Sequence, residues 1–399
     1  MSEAGATGRV LLNARPIPAS SGAGNGLVDI AIDETGVVRQ VTDSSPADRG
    51  REGIDLHGAY ISRGWIDLHT HIYYGATDIS IRPNAAGMAT GVTTLVDAGS
   101  SGEASFAGFR EYIAGPAQEK IYAFLNLGSI GLVACNRVSE LADIRSIDID
   151  RTLRVVQENR DIICGIKVRA SHVILGSWGI TPLLIGKKVA RMVGLPLMVH
   201  IGEPPPLLDE ILPALDPGDI ITHCFNGKAG GNIADDEVIL AVATEAHKRG
   251  ILFDVGHGGA SFSYRVARKA LERGLLPWTI STDLHMQSVN GPAWDLATTM
   301  SKLYSLGMDL EDIVHAVTDH SASSIGRQGG QDSRWLSVGQ LADFTVFETA
   351  SARIAVSDSE GSTETLDKVI LPRYALRGSA LVAAHSRVEM LAARSGYQE

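Results

Sequence analysis

Between Gly64 and Met286 the chain alternates short apolar β-like runs with connecting sequence, most of it helical in pattern. The runs are "GWIDLHTH", "TTLVDAGSSG", "IYAFLNLGS", "ICGIKVRAS", "PLMVHIGE", "DIITHCFNG", "LFDVGHGG" and "TISTDLHM". Segments such as "DIDRTLRVVQENRD", "ITPLLIGKKVARMVG", "DDEVILAVATEAHKRG" and "SFSYRVARKALERG" separate them with helical spacing of apolar residues. Strands that alternate with helices pair in parallel, and eight such units close a (β/α)8, TIM-like barrel. A doubly wound sheet would show the same alternation, but it leaves the placement of the polar residues unexplained.

The flanks have a different texture. Residues 8–62 and the chain after about residue 330 carry short strand-like runs broken by glycine, including "GLVDIAIDETGVVRQV" and "WLSVGQLADFTVFETA". The expectation is one small β-sandwich domain built from both ends, residues 1–62 with 331–399, interrupted by the barrel of residues 63–330. The polar stretch "SDSEGSTETLDK" is expected to be a mobile loop. The N-terminal "MSEAGATGRVLLNARP" has no basic-then-apolar leader pattern, and no apolar run reaches spanning length. Three cysteines, an odd and sparse count, suit reduced thiols in a cytoplasm rather than a disulfide framework. A net charge of −11 argues against nucleic acid as a partner. It leaves open a small anionic substrate held by a local cation, and it leaves open a homo-oligomer.

The first run carries the first chemical signal. In "GWIDLHTHIYYG" strand alternation puts Asp67, His69 and His71 on one face, with Ile66, Leu68 and Thr70 on the other. A lone histidine is more often a packed or surface residue than a ligand. A pair at H-x-H beside a carboxylate can share one ion. The other runs repeat the signal at the same depth: Lys167 on the fourth, His200 ending the fifth, His223 ending the sixth and Asp283 ending the eighth. Barrel chemistry sits at the C-terminal ends of the strands. Four imidazoles and a carboxylate suit zinc or a similar divalent ion. Lys167 fits when desolvation keeps its amine neutral, because a neutral amine can add carbon dioxide and become an anionic carbamate; the plainer alternative is a lysine snorkelling out of the strand end.

"GWIDLHTH", "GIKVRAS", "MVHIGE", "ITHCFNG", "DVGHG" and "STDLH" together resemble the amidohydrolase superfamily of metal-dependent hydrolases, closest to its amidohydrolase/deacetylase, dihydroorotase-like branch. The resemblance covers nearly the whole chain, including the late "VGQLADFTVF". It implies two divalent metal ions, zinc first among them. His69 and His71 would hold the more buried ion with Asp283, His200 and His223 the more exposed one, and carboxylated Lys167 would bridge them. It further implies a metal-bridging hydroxide that attacks a carbonyl, with Asp283 carrying the proton to the leaving group. Asp67 is expected either to orient a histidine through its second ring nitrogen or to bond locally to backbone.

Arg169, which shares the face of Lys167, is expected either to bind a substrate carboxylate or to form a structural salt bridge, and further substrate contacts are expected from His257 at the end of the seventh strand and from Asn226 and His285. Tyr73 and Tyr74 either line the pocket or pack the loop, and Cys224 packs in the core. A dihydroorotase is expected to place an arginine after its H-x-H pair, where Ile72, Tyr73 and Tyr74 stand here. A D-aminoacylase-like enzyme is expected to carry a cysteine ligand after the second strand, and "VDAGSSG" has none. Lys167 speaks against the one-metal adenosine-deaminase type. The resulting expectation is hydrolysis of an acyl group, such as acetyl, from a small carboxylate-bearing amine or alcohol. Cyclic amide hydrolysis of the dihydroorotase or hydantoinase type and a metal-free, inactive scaffold are the alternatives.

Overall fold

The computed structural model describes residues 8–18, 26–45, 52–327 and 335–394. The first seven residues of the N-terminal stretch and the expected boundary at 330/331 lie outside the described residues. Among the described residues five strands precede the barrel: β1 (Arg9–Pro16), β2 (Val28–Ile32), β3 (Val38–Asp43), β4 (Ile54–Asp55) and β5 (Tyr60–Arg63). The chain passes into the barrel through a single residue, Gly64, whose N–H donates to the Asp343 carbonyl at 2.8 Å.

Seven parallel strands follow in sheet order: β6 (Trp65–Thr70), β7 (Val92–Gly102), β8 (Lys120–Asn126), β9 (Ile163–Ala170), β10 (Leu197–Ile201), β11 (Ile220–Thr222) and β12 (Leu252–Asp254). The eighth run is irregular. It still joins both edges, through parallel bridges of Thr279 to Asp254 and Leu284 to Thr70. Leu68, Val96, Phe124, Cys164, Met198 and Ile220, one from each of β6 to β11, form a buried cluster of their own, the filling of the barrel. On the opposite faces Ile166, Val168 and Val199 join Leu183, Val189, Leu240 and Val266 of the surrounding helices. Two of the connecting helices, Ile149–Glu158 and Glu237–Lys248, start at aspartate caps: Asp148 accepts the Arg151 N–H, and Asp236 accepts those of Val238 and Ile239.

Strict alternation fails in β6. The register with β7 is irregular between Asp67 and Thr70. Leu68 joins the barrel filling, and the Asp67 carboxylate turns to the eighth run, accepting the Thr282 N–H at 3.0 Å and its hydroxyl at 2.5 Å. The two flanks do meet in one β unit, completed by β13 (Asp343–Ser357), β14 (Thr363–Arg377) and β15 (Ala380–Ala383). Its hydrogen bonds run along the path β15-β14-β13-β5-β1-β2-β3, with β4 beside β1. Leu11, Ile30 and Ile61 from one end pack with Trp335, Phe344 and Leu376 from the other.

The expected mobile loop is instead a pinned hairpin tip. β14 begins inside that stretch, and Asp358 is buried at the turn, accepting N–H bonds from Glu360, Ser362 and Tyr264. Ser359 accepts the Phe262 N–H, and the Ser263 hydroxyl donates to Glu360. Lys302 lies wholly buried behind the tip, donating to the Ser357 and Pro292 carbonyls and to His257 Nε2. Burial lowers its pKa to about 7. A polar composition reads as solvent-facing, but here the polar groups bond to barrel loops. Among the described residues no single helix is long and apolar enough to cross a membrane.

Candidate metal centre

The strand ends bring His69, His71, Lys167, His200, His223 and Asp283 around one cavity of about 320 Å3. Two of these positions have left-handed backbones, His223 at φ +72° and Asp283 at φ +46°. Such conformations cost roughly 1–3 kcal/mol each and persist where the surroundings hold them. Gly256 and Gly258, at φ +47° and +57°, leave room for this geometry. A Cβ on Gly256 would stand 2.3 Å from Thr222 Oγ1, and one on Gly258 would stand 2.5 Å from Asp283 Oδ2.

Hydrogen bonds fix the imidazole tautomers. The Thr222 hydroxyl donates its proton to Asp254 at 2.6 Å, so at 2.8 Å it must accept from His69 Nδ1–H. His223 Nδ1–H donates to the Gly256 carbonyl at 2.6 Å. The Nε2 atoms of both rings therefore carry lone pairs. Burial holds His69 and His200 well below the usual histidine range and His223 at about 3, so all three are neutral. Asp283 Oδ1 lies 3.3 Å from His69 Nε2 and 3.1 Å from His71 Nε2. The lone pairs of His69 and of the carboxylate face each other without a proton between them, an arrangement that a cation relieves. His69, His223 and Asp283 can each place a donor atom within 4.8 Å of the others. The donor set fits a divalent metal of the zinc type.

Lys167 is buried among these groups, with Nζ 3.4 Å from both His69 Nε2 and Met198 Sδ. Burial pushes its pKa down to about 7, which gives the neutral amine that a carbamate requires. Behind His69 and His71 stand hydroxyl relays rather than Asp67. Asp254, wholly buried, accepts from the hydroxyls of Thr222, Thr279 and Ser281; it is hydrogen-bonded to His69 through Thr222 and lies 3.9 Å from His69 Nδ1 directly. In the same way Ser100 Oγ lies 2.9 Å from His71 Nδ1, and its backbone N–H is held by Asp97. Asp254→Asn is expected to weaken metal binding about 10–100-fold, the usual cost of losing an outer partner of a ligand. Competition with a chelator measures it; unchanged affinity would show that Thr222 orients His69 unaided.

The candidate substrate residues divide. Arg169 and His285 line the cavity. Arg169 is already engaged, with Nε and Nη2 donating to the buried Glu140 carboxylate at 2.7 and 2.5 Å. His285 Nε2 lies 3.9 Å from Asp283 Oδ2. His257 and Asn226 are wholly buried and are not among the cavity-lining residues. His257 stacks on Phe262, bonds the Gly258 carbonyl through Nδ1 and accepts from Lys302 at Nε2. Asn226 braces its own loop, donating to the His223 and Gly231 carbonyls and accepting the Lys228 N–H. Tyr73 packs in the core with its hydroxyl on the Ser105 carbonyl, and Cys224 is also in the core. Sequence reasoning missed Lys228, which lines the cavity; its place in the loop just after "THCFNG" was the available signal.

No family model matches the chain. A deacetylase from Agrobacterium fabrum is 54% identical over 94% of this chain and 91% of its own length. A deacetylase from Brucella anthropi is 52% identical over 94% of this chain and 92% of its own length. A crystal structure described as a dihydroorotase superposes with a TM-score of 0.90 at 52% identity, covering 94% of this chain and 98% of that one. With the barrel, the strand-end histidines and Asp283 in place, these likenesses show that the chain belongs to the amidohydrolase superfamily.

Proposed function

We propose that the protein is a binuclear metal-dependent hydrolase that removes a small acyl group, such as acetyl, from a carboxylate-bearing amine or alcohol. The observation that carries the proposal is the convergence of the Asp283 carboxylate on two imidazole Nε2 atoms in a cavity that also holds Lys167 and His200. The names of the two curated relatives support the acyl reaction. His69, His71, His200, His223 and Asp283 would hold two divalent ions, zinc in this reading, with Lys167 carboxylated by carbon dioxide between them. When bound, the ions supply Lewis acidity and a water of lowered pKa. Asp283 accepts the proton of the attacking water at a carboxylate oxygen and returns it to the leaving nitrogen or oxygen. His285 orients Asp283 from the Oδ2 side. The reading also takes residues 63–330 as the catalytic barrel and residues 1–62 with 331–399 as a β-sandwich that braces it. Its three free thiols suit the cytoplasm.

Cyclic amide hydrolysis stays as the second reading because of the dihydroorotase-named structure. It lacks a cation after the H-x-H pair, where Ile72 is wholly buried and Tyr73 is packed. The metal-loaded enzyme is to be screened against small N-acyl and O-acyl carboxylic acids beside dihydroorotate and hydantoins. Turnover confined to the cyclic amides would overturn the proposal. A complication arises at Arg169. Arg169→Met strips a buried carboxylate of its partner, which costs about 3–5 kcal/mol. That variant is therefore expected to melt well below the parent, and pairing it with Glu140→Gln should recover much of the loss. A melting point unmoved by Arg169→Met would mean the pair with Glu140 does not hold the site together.

A further inference from the structure

The overall charge of −11 repels anions, so an acid substrate needs a cation at the cavity wall that is free to change partners. Apart from Lys167, the cavity is lined by Arg169 and Lys228, and these two differ in this respect. Arg169 is locked: its forked face is taken up bidentately by Glu140, whose side chain is fully shielded from solvent. Lys228 is held by a single ion pair. Its Nζ meets one carboxylate, Glu203 at 2.6 Å, and the Glu203 side chain is 34% exposed at the rim. An ammonium has three donors, and this contact uses one.

Position also favours Lys228. Gly202 is the meeting point of Lys228 Nζ and His200 Nε2, each 3.4 Å from where a Cβ there would lie. The ammonium thus stands beside His200. The loop that carries it is set by Asn226, whose side-chain oxygen accepts the Lys228 N–H at 3.0 Å while its amide donates to the His223 carbonyl at 2.9 Å. Asn226 thereby couples the metal-ligand position His223 to the cation. Glu203 is in turn fixed by the Ser171 hydroxyl at 2.6 Å, so it remains in place when Lys228 turns away.

We infer that Lys228 is the specificity-determining residue for the acid group: it exchanges Glu203 for the substrate carboxylate as the substrate enters. The inference rests on the acyl-acid reading above. Exchange of one carboxylate for another conserves the charge-assisted bond, and the released Glu203 keeps its Ser171 hydrogen bond and its partial contact with water. The bond formed over the shielded cavity is the stronger one.

The test uses the full-length, metal-loaded protein with N-acetylglycine and O-acetyllactate, each beside its neutral methyl ester. The readout is the ratio of kcat/KM for acid over ester, together with calorimetric binding of levulinate, an unreactive isostere of N-acetylglycine. Lys228→Met should lower the ratio roughly 10- to 100-fold, the range for one hydrogen bond to a charged group. Lys228→Arg should keep most of it. Glu203→Gln should act in the opposite direction, tightening levulinate binding about two- to fivefold by removing the competing carboxylate. The double variant with Lys228→Met should lose that gain, whereas a gain from the lost negative charge alone would persist in it. If the parent prefers acids and Lys228→Met keeps the full preference, the inference falls and the acyl-acid reading stands. If the parent shows no preference for acids over esters, the acyl-acid reading itself fails and takes the inference with it. If Lys228→Met is poorly folded, levulinate binding to Glu203→Gln decides alone, and no tightening there overturns the inference.

Discussion

Asp283→Asn is expected to leave the fold intact and to lower kcat by about 10²–10⁴-fold, the range for losing a positioned proton carrier. Asparagine matches the shape of aspartate, so the left-handed backbone at this position and the fit against Gly258 are preserved. The amide accepts no proton at any pH near neutrality. Its NH2 group can also donate to His69 Nε2, where Asp283 Oδ1 now lies at 3.3 Å, and so competes with a metal for the same lone pair. Metal affinity should fall along with kcat. Steady-state kinetics, metal content and thermal melting on one preparation separate the two losses. Near-normal turnover would mean that another group moves the proton. His285, at 3.9 Å, would then be next in line, because both nitrogens of His257 are engaged by Gly258 and Lys302.

Lys167→Ala is expected to lose metal and activity together, by roughly 10²-fold at least, since even an outer partner of a metal ligand costs ~10–100-fold. A short carboxylic acid supplied to that variant should restore part of both by standing where the carbamate would be. The sign of the pH dependence follows from burial. The Lys167 amine, pushed down to about 7, is neutral above that pH and protonated below it. Only the neutral amine adds carbon dioxide. Reconstitution of metal-free protein with zinc and bicarbonate should therefore succeed at pH 8 and fail progressively as pH falls through about 7. Two ions per chain are expected at the upper pH. Saturation at one ion, or full activity in Lys167→Met, would remove the bridging role.

The sequence by itself determined the barrel and the set of residues that meet in its cavity. The β/α alternation is a local signal: apolar spacing within each segment sets the element, and the helical connections force parallel pairing. Because strand ends converge in a barrel, six residues at matching depths could be assigned to one cavity without knowing any distance between them. Only the tertiary structure decided how they are held. Thr222 reaches His69 across 153 positions and Thr282 reaches Asp67 across 215, so no window of sequence contains either bond. The irregular register between Asp67 and Thr70 breaks the period of two on which the facing of Asp67 was inferred. Arg169 could be read as a substrate cation or as half of a salt bridge, and its partner Glu140 could not be named because it lies in the connection between β8 and β9. The tip around Asp358 read as solvent-facing because its polar groups find their partners on the barrel, far away in sequence. Periodicity reports which way a side chain points within its own element, whereas the partner of a buried polar group is chosen by whichever distant element packs against it.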